Sequence, residues 1–178
     1  IQYQLVPSLL VKSFVQHSQY KAAIDAGVFA DEKDYGIRNS NLSAGAGMNF
    51  KKGIVNITTN YQYGELSRRY TNDSLFVRPF GTIFESNRYG GRTQYFELFG
   101  NVTATKWLTI IAGTDYRWSN MNQQYYSLSS FGPYSNNFGD TTQHQASFYS
   151  SLFVTALNKK LNIEIGGRTN NHSRYGNN

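Results

Sequence analysis

The sequence predicts an all-β protein, an antiparallel transmembrane β-barrel, and three observations lead to this fold class. Apolar and polar residues alternate with a period of two along segments of roughly 9 to 11 residues, the length of a membrane-spanning strand. Short turns and long polar connections follow each other along the chain. Aromatic residues lie near both ends of these segments, as they do at the two interfaces of a membrane.

The composition limits the alternatives. The chain has 178 residues, of which 39% are hydrophobic and 16% aromatic. It contains no run of the roughly 18 apolar residues that a spanning helix needs, so a membrane role would have to be carried by strands. The absence of cysteine excludes a disulfide framework and a thiolate metal site. The net charge is +6, but Lys and Arg are scattered through turns and loops, so no nucleic-acid partner is predicted.

The first quarter of the chain predicts three strands. Residues 3–12 form a short strand that Pro7 confines to an edge or a bulge. A strand over residues 20–29 follows from the apolar residues at alternate positions from Ala22. The polar residues 31–41 are predicted to form a loop, and residues 42–50 form the next strand, with alternate apolar residues from Leu42 to Phe50.

The middle of the chain repeats this arrangement. Two hairpins with short turns are predicted from the alternating pattern: strands at 42–50 and 55–63 joined at 51–53, and strands at 94–103 and 108–118 joined at 104–106. Residues 65–92 and 119–142 are predicted to be long connections, because they are rich in Arg, Asn, Ser, Gln, Tyr and Gly without a clear period; in the first of them residues 75–84 could extend the flanking strands.

The last hairpin has the clearest alternation. Its first strand begins near Gln145, its turn covers residues 157–160, and its second strand begins at Leu161. One face of the hairpin carries Ala146, Phe148, Leu152, Val154, Ala156, Leu161, Ile163 and Ile165. The other face is polar, with Glu164 and Arg168 together on the second strand. A ribbon with two such faces is expected to meet a different environment on each side.

Short turns at one end and long connections at the other are typical of an outer-membrane barrel, whose apolar face meets lipid and whose polar face lines the lumen. The aromatic residues fit two girdles. Phe50, Trp107 and Phe153 lie near the short turns, whereas Tyr61, Tyr63, Tyr116 and Trp118 lie toward the long connections. The alternative is a soluble antiparallel sheet.

The direction of the strands predicts a part of a larger barrel. If the short turns are periplasmic, the first strand enters from outside the cell and the last strand leaves to the outside. The sequence therefore predicts about seven to eight strands of a single outer-membrane β-barrel domain, over residues 1–178, with further strands elsewhere.

The run from Ala146 to Gly176 resembles a mid-barrel hairpin of TonB-dependent outer-membrane receptors. In that family the second strand ends in a pattern of two glycines, an arginine and, further on, His-Ser before an aromatic residue and a glycine. The matching residues are Gly166, Gly167, Arg168, His172, Ser173, Tyr175 and Gly176. The Arg-Tyr-Gly-Asn-Asn ending is most similar to cobalamin receptors of the Bacteroidetes type. The resemblance covers about 30 residues of this hairpin. The rest of the chain is similar to the family only in its order of strands and connections.

The resemblance implies a 22-stranded barrel in the outer membrane of a Gram-negative bacterium, closed by an N-terminal plug domain. A scarce nutrient would bind in the extracellular loops, and cobalamin is the best candidate. The TonB complex would act on the plug so that the nutrient passes into the periplasm. The plug and its TonB-contacting segment are not among these residues. A surface lipoprotein is a further partner that the family allows, and outer-membrane lipid would surround the barrel.

Two sets of loop residues are candidates for ligand binding, because aromatic rings and guanidinium groups supply contact area and a few polar anchors. They are Arg68, Arg69 and Tyr70 in one connection, and Tyr125, Tyr126, Phe131, Tyr134 and Phe138 in the other. Asp31, Glu32 and Asp34, with Asp25 nearby, place hard oxygen ligands of the kind that Ca²⁺ prefers in one loop. A solvated acidic loop is the alternative, and no cofactor is required.

No enzyme is predicted. The three histidines are far apart in the sequence without metal-ligand spacing, and no nucleophile motif or phosphate-binding glycine loop is present. Three other functions remain open beside the cobalamin receptor. They are a siderophore or haem receptor, a passive channel, and a soluble adhesin or carbohydrate-binding β-domain.

Overall fold

The computed structural model describes residues 1–24, 34–73, 82–157 and 160–177. These residues form nine β-strands. They are β1 (Gln2–Val6), β2 (Leu9–Ala23), β3 (Tyr35–Lys52), β4 (Val55–Asp73), β5 (Thr82–Thr103), β6 (Leu108–Ser129), β7 (Gly132–Ala156), β8 (Leu161–His172) and β9 (Gly176–Asn177). No helix in the described ranges is long and apolar enough to cross a membrane.

All nine strands belong to one antiparallel sheet in which each strand pairs with its neighbour in the sequence. The predicted all-β antiparallel fold is therefore confirmed, with nine strands in place of seven to eight. Strands β1 and β9 lie at the two edges, and the described residues do not pair them with each other, so the sheet is not closed. The 22-stranded barrel remains a prediction.

Short turns join strands at one end of the sheet, which we call the lower end. The predicted short turns of the last three hairpins are confirmed there, and a fourth is formed by Pro7 and Ser8 between β1 and β2. Gly53 has a φ of 57°, the left-handed conformation that glycine adopts without cost. In the next turn the Thr105 hydroxyl accepts hydrogen bonds from the backbone N–H groups of Trp107 and Leu108. These contacts fix where each hairpin reverses.

The register assigns every strand residue to one of two faces, because directly paired residues share a face and successive residues alternate. One face, which we call the outer face, carries an apolar band in the lower half of the sheet. Its larger residues are Leu9, Val11, Val15, Leu42, Met48, Phe50, Val55, Ile57, Phe96, Leu98, Val102, Leu108, Ile110, Phe148, Leu152, Val154, Leu161, Ile163 and Ile165. The upper rim of the band is formed by Tyr61, Tyr63, Tyr116 and Trp118.

The opposite face, which we call the inner face, is polar at the same height. Asn60 donates a hydrogen bond to the Glu97 carboxylate across β4 and β5, at 3.1 Å. The Arg168 guanidinium on β8 contacts the Asp115 carboxylate on β6 at 2.8 Å. The alternation of apolar and polar residues in the sequence thus corresponds to two chemically different sides of one sheet.

The described residues contain no buried hydrophobic core. Leu98 is 40% exposed, Ile110 is 38% exposed and Phe148 is 62% exposed, although each lies on a strand that is paired on both sides. The residues that are buried are instead polar, and they are Asn39, Asp115 and Ser147. A soluble sheet of this size would cover one apolar face with a second layer, and the described chain has no second layer.

The apolar band crosses the strands obliquely. Leu9 is the lowest apolar residue of the outer face in β2. When directly paired residues are followed from strand to strand, Leu9 corresponds to Ser150 in β7, five strands away. The lowest apolar residue of β7 is Ala156, six residues further down. With about 3.4 Å per residue and about 4.8 Å between strands, the strands are inclined by about 40° to the normal of the band. Strands of transmembrane barrels are inclined by about 35–45°.

The predicted long connections are wrong in their extent. Strand β4 continues to Asp73 and β5 begins at Thr82, so most of residues 65–92 is strand. Strand β6 runs to Ser129 and β7 begins at Gly132, which leaves a two-residue turn where residues 119–142 had been predicted as a loop. The strands therefore extend far above the apolar band, and both of their faces are polar there.

The beginning of the chain also differs from its prediction. Residues 3–12 belong to two strands, with Pro7 in the turn between them. Strand β2 covers Leu9–Ala23, so the strand predicted over 20–29 is confirmed for residues 20–23 as the end of a longer strand, and its residues 25–29 lie outside the described ranges. Strand β3 begins at Tyr35, inside the predicted loop. Phe153 pairs with Glu164 and faces inward, so it does not belong to the lower girdle.

Candidate functional site

The upper half of the inner face encloses a cavity of about 1090 Å³. Residues from six strands, β2 to β7, line it, which means that the sheet curves around this face. Ligand cavities in proteins commonly measure about 300–1,000 Å³, so this one has room for a large ligand. We take it as the candidate binding site and call it the upper cavity.

An apolar patch forms part of the floor of the upper cavity. Leu66, Gly91 and Met121 are consecutive partners across β4, β5 and β6. Met121 is 59% exposed and Leu66 is 37% exposed, although both face inward. Because Gly91 lacks a side chain, it leaves a depression between them. Exposed apolar side chains among polar walls are typical of small-molecule sites.

Two tyrosines and the Asn87 amide form one wall, and the Gln123 amide supports this wall through hydrogen bonds. The rings of Tyr70 and Tyr89 pack edge to face, with their centroids 6.0 Å apart. The Tyr89 hydroxyl accepts hydrogen bonds from the side-chain amides of Asn87 at 2.8 Å and Gln123 at 3.2 Å. Gln123 also donates to Asn87 at 3.1 Å. With its oxygen occupied as an acceptor twice, the Tyr89 hydroxyl can donate its own proton to a ligand.

Arg68 brings a positive charge to the same wall. Its Nε donates a hydrogen bond to the Asn39 side-chain oxygen at 3.1 Å. Asn39 is only 3% exposed, so it holds the guanidinium group against the sheet. A cation fixed in this way costs little further side-chain entropy when an anionic or carbonyl group binds.

Below the upper cavity, a polar network ties three strands together. The Arg168 guanidinium contacts Asp115 and donates a second hydrogen bond to the Ser147 hydroxyl at 3.0 Å. The Ser147 hydroxyl donates to the other Asp115 oxygen at 3.1 Å. Arg168 also lies over the Tyr149 ring at 5.7 Å, and Arg117 lies over the Tyr95 ring at 5.5 Å. These contacts fix the curvature of the sheet beneath the site.

The first set of predicted ligand residues is divided by the structure. Arg68 and Tyr70 line the upper cavity. Arg69 pairs with Arg38 and Arg88 on the outer face, so the structure does not bring it to the same face as Arg68, and its role in ligand binding stays a prediction. Neighbouring residues of a strand point to opposite faces, and only one of two adjacent arginines can face the cavity.

The second set lies on strands and not in a loop. Tyr125 and Tyr134 face inward and pack together, with ring centroids 6.2 Å apart, above the residues that line the cavity. Tyr126 faces outward and packs against Phe84, with the ring centroids 5.9 Å apart. Phe138 pairs with Gln123 on the inner face and is 57% exposed, and Phe131 is in the turn between β6 and β7, 83% exposed. None of these five residues lines the upper cavity.

The predicted calcium loop falls mainly outside the structure. Asp25, Asp31 and Glu32 lie outside the described ranges, and Asp34 lies immediately before β3. In the part of the chain that is described, no group of three His, Asp or Glu side chains is placed to hold a metal ion. The calcium site therefore stays a prediction.

Several residues of the cavity were not predicted from the sequence, namely Asn87, Tyr89, Gly91 and Met121. A signal for them was present in the register. Counting back by twos from Tyr95, on the polar face, leads to Gly91, Tyr89 and Asn87. The absence of an apolar face above the band concealed that the strand continues.

Comparison of this sequence with protein-family models and with curated proteins gave no match. The candidate site is therefore interpreted from its own geometry and chemistry.

A substitution at Gly91 tests whether the upper cavity is the binding site. The nearest atom to an added Cβ is the Asn120 backbone oxygen at 3.7 Å, an ordinary contact, so Gly91→Val is expected to fold normally. The valine would fill the depression between Leu66 and Met121. We expect the affinity for a ligand of the upper cavity to fall by about tenfold or more, since overpacking a site costs about 1–3 kcal/mol.

Gly167→Val is the matched control for this experiment. Gly167 lies on the outer face of β8, and an added Cβ there would meet no atom within 4 Å. Equilibrium binding of labelled ligand to both variants of the full-length protein is the measurement. Equal affinity of the Gly91 variant and the unaltered protein would place the ligand elsewhere.

Proposed function

We propose that this chain is part of an outer-membrane β-barrel that works as a TonB-dependent receptor and imports a scarce nutrient, with cobalamin as the first candidate. The observation that carries the membrane assignment is the apolar band of the outer face. None of its larger residues is buried and each strand from β2 to β8 carries at least one that is exposed; the band also has an aromatic upper rim and is backed by a polar inner face. Lipid is the environment that makes such a surface stable.

The geometry of the strands supports the same proposal. An inclination of about 40° agrees with a sheet that closes into a barrel in a membrane. The strand extensions beyond the band all lie at the upper end, whereas the four turns of the lower end lie next to the band; the two-residue turn between β6 and β7 closes one of the long upper extensions. Such asymmetry is typical of outer-membrane barrels, with periplasmic turns short and extracellular segments long.

The nutrient-uptake role rests on the upper cavity together with the resemblance of the last hairpin. The cavity combines an apolar floor, aromatic rings, amide groups and one guanidinium group. This set suits a large ligand with both apolar and amide or carbonyl groups, a description that cobalamin fits. The 22-stranded barrel, the plug and the TonB complex come from the resemblance alone.

Uptake measurements test the proposal. The full-length protein is expressed in Gram-negative cells whose own cobalamin receptor is deleted, and the accumulation of radiolabelled cobalamin is followed with and without TonB. We expect accumulation with TonB and its loss without TonB. Accumulation that is independent of TonB would indicate a passive channel. Accumulation of haem or a ferric siderophore in place of cobalamin would change the ligand.

The membrane assignment has a separate test. The full-length protein is expected to remain in the outer-membrane fraction after washing with alkali and to need detergent for extraction. A protein that stays in aqueous solution without detergent would instead be a soluble β-domain, such as an adhesin or a carbohydrate-binding protein.

A further inference from the structure

The upper part of β7 has an edge without a neighbouring strand. Strand β8 pairs with β7 only up to Gln145, and one further backbone hydrogen bond joins the Ser173 N–H to the His144 carbonyl at 2.9 Å. Above His144, none of the described residues pairs with β7 on that side, whereas β6 pairs with its other side as far as Gly132. We call residues 132–143 the free edge, and it is about 41 Å long.

The turn that follows β8 produces the free edge. The Ser173 hydroxyl accepts a hydrogen bond from the His144 N–H at 3.0 Å, so Ser173 occupies both backbone groups of His144. The His172 Nδ1 accepts a hydrogen bond from the Arg174 N–H at 3.1 Å. The His172 and Tyr175 rings pack with their centroids 4.8 Å apart. The chain then returns along the other edge of β8 as β9, so this reversal leads it away from β7.

Backbone groups of the free edge point away from β6. A β-bulge at residues 139–140 divides the edge, and residues 132–138 form its regular upper part. Alternate residues of such a strand direct their N–H and carbonyl groups away from the paired neighbour. Pro133 fits an outward-directed position because it has no N–H to donate to β6, and Ser135 and Asn137 share its direction. Two N–H groups and three carbonyl groups therefore face outward, and such a row is a template for a further strand.

Aromatic side chains stand beside the upper part of the free edge on the inner face. Tyr134 and Phe138 are each 57% exposed, and Tyr125 of β6 packs against Tyr134. On the outer face the residues between them are exposed and polar. Residues 132–138 carry no charged side chain. Natural proteins commonly protect an exposed edge with charged residues, above all lysine, and the upper part of this edge has no such protection.

A second copy of this chain does not fit the free edge in a membrane. Two identical strands pair in antiparallel fashion only when a two-fold axis lies perpendicular to them. Copies in one membrane share the same direction of insertion, so the axis that relates them is the membrane normal. With an inclination of about 40° to this normal, equivalent strands of two copies would cross at no more than about 80°. The occupant is therefore expected to be a different polypeptide.

We propose that the free edge of β7 binds an extended segment of a separate protein at the cell surface, which joins the sheet as an additional antiparallel strand. The location at the cell surface rests on the proposed function. An extended polypeptide presents N–H and carbonyl groups at the alternating positions that the edge requires. Its residues opposite Tyr134 and Phe138 are expected to be aromatic or β-branched, because directly opposed side chains pack together. The residues between them are expected to be polar and uncharged.

A labelled synthetic peptide tests the proposal. The peptide is about nine residues long, with threonine alternating with valine or tyrosine, and fluorescence anisotropy measures its binding to the full-length protein in neutral detergent micelles. N-methylation of the threonines removes the N–H groups that would face the edge. We expect it to lower the affinity by about tenfold or more, because several backbone hydrogen bonds are lost. N-methylation of the valines and tyrosines, whose N–H groups point away, should leave the affinity unchanged.

Ser135→Pro is the corresponding change in the protein. Proline removes the N–H that faces the free edge and no hydrogen bond to β6, so the sheet is expected to remain intact. The affinity for the unmethylated peptide should fall by about tenfold, because one hydrogen bond is lost and the proline ring obstructs the edge. Ser135→Ala is the matched control. It keeps the N–H and removes only the hydroxyl group, so it should bind the peptide as the unaltered protein does.

Four results would overturn the proposal. The first three are no binding at about 1 mM peptide, equal effects of the two patterns of N-methylation, and equal affinity of Ser135→Pro and the unaltered protein. The fourth is a dimer in light scattering that Ser135→Pro dissociates, which would make a second copy the occupant. A protein that extracts with the membrane but fails these tests would contradict the docking edge alone. A protein that is found in the aqueous fraction would contradict the proposed function itself.

Discussion

Leu98→Arg is expected to destabilise the folded protein in a membrane by about 2–4 kcal/mol, the cost of an arginine near the middle of a lipid-facing barrel surface. Leu98 is 40% exposed and lies in the middle of the apolar band. In a soluble protein a residue with this exposure would tolerate arginine at a cost within about 1 kcal/mol. Unfolding by urea in lipid vesicles of the full-length protein measures the difference.

Asn122→Arg is the matched control for Leu98→Arg. Asn122 lies on the same outer face, above the aromatic rim, opposite Gly90. An arginine at that height meets water and head groups, so we expect a change of no more than about 0–1 kcal/mol. Equal effects of the two substitutions would mean that no depth-dependent environment covers the outer face, and the membrane assignment would be wrong.

Arg168→Met is expected to lower the free energy of unfolding by about 2 kcal/mol, because it leaves the Asp115 carboxylate without its cation. The Asp115 side chain is only 9% exposed, whereas that of Arg168 is 49% exposed. Leaving Asp115 without its partner should therefore cost more free energy than leaving Arg168 without its partner. Methionine preserves the contact with the Tyr149 ring. Asp115→Asn should cost less, because the half-exposed Arg168 can be solvated and Ser147 keeps a neutral acceptor.

The double variant D115N/R168M separates charge from packing. If the buried carboxylate causes the loss, Asp115→Asn should restore most of the stability that Arg168→Met removes. The measurement is urea unfolding of the four proteins of the double-mutant cycle in the same vesicles. A double variant less stable than Arg168→Met alone would show that the network stabilises by shape and not by neutralising Asp115.

The sequence predicts the fold well wherever the two faces of a strand differ. In residues 55–63 apolar and polar side chains alternate, and the predicted strand, its faces and its turn are confirmed. Above the band the same strand continues to Asp73 with polar residues on both faces, so the period of two disappears and a loop is predicted in its place. Hydrogen bonds to neighbouring strands hold this part in the sheet, and single-sequence patterns do not register them.

The candidate site was predicted less well, for a related reason. Arg68 and Tyr70 were found because charged and aromatic residues are conspicuous, but Arg69 was included because the loop prediction gave it no face. Because the segment is a strand, successive side chains point to opposite faces, and Arg69 therefore lies on the face opposite Arg68. The cavity also depends on Gly91, which contributes a space and not a functional group, and composition alone gives no indication of such a residue.

The extension of the strands beyond the apolar band divides each hairpin into two mechanical parts. If the band lies in lipid, as proposed, the backbone within it has no hydrogen-bond partner other than the neighbouring strand, so separating two strands there would be very costly. Above Tyr63 and Trp118 water competes for every backbone group, and opening costs much less. In the proposed membrane location, the walls of the upper cavity would therefore open at a lower free-energy cost than the part of each hairpin within the band.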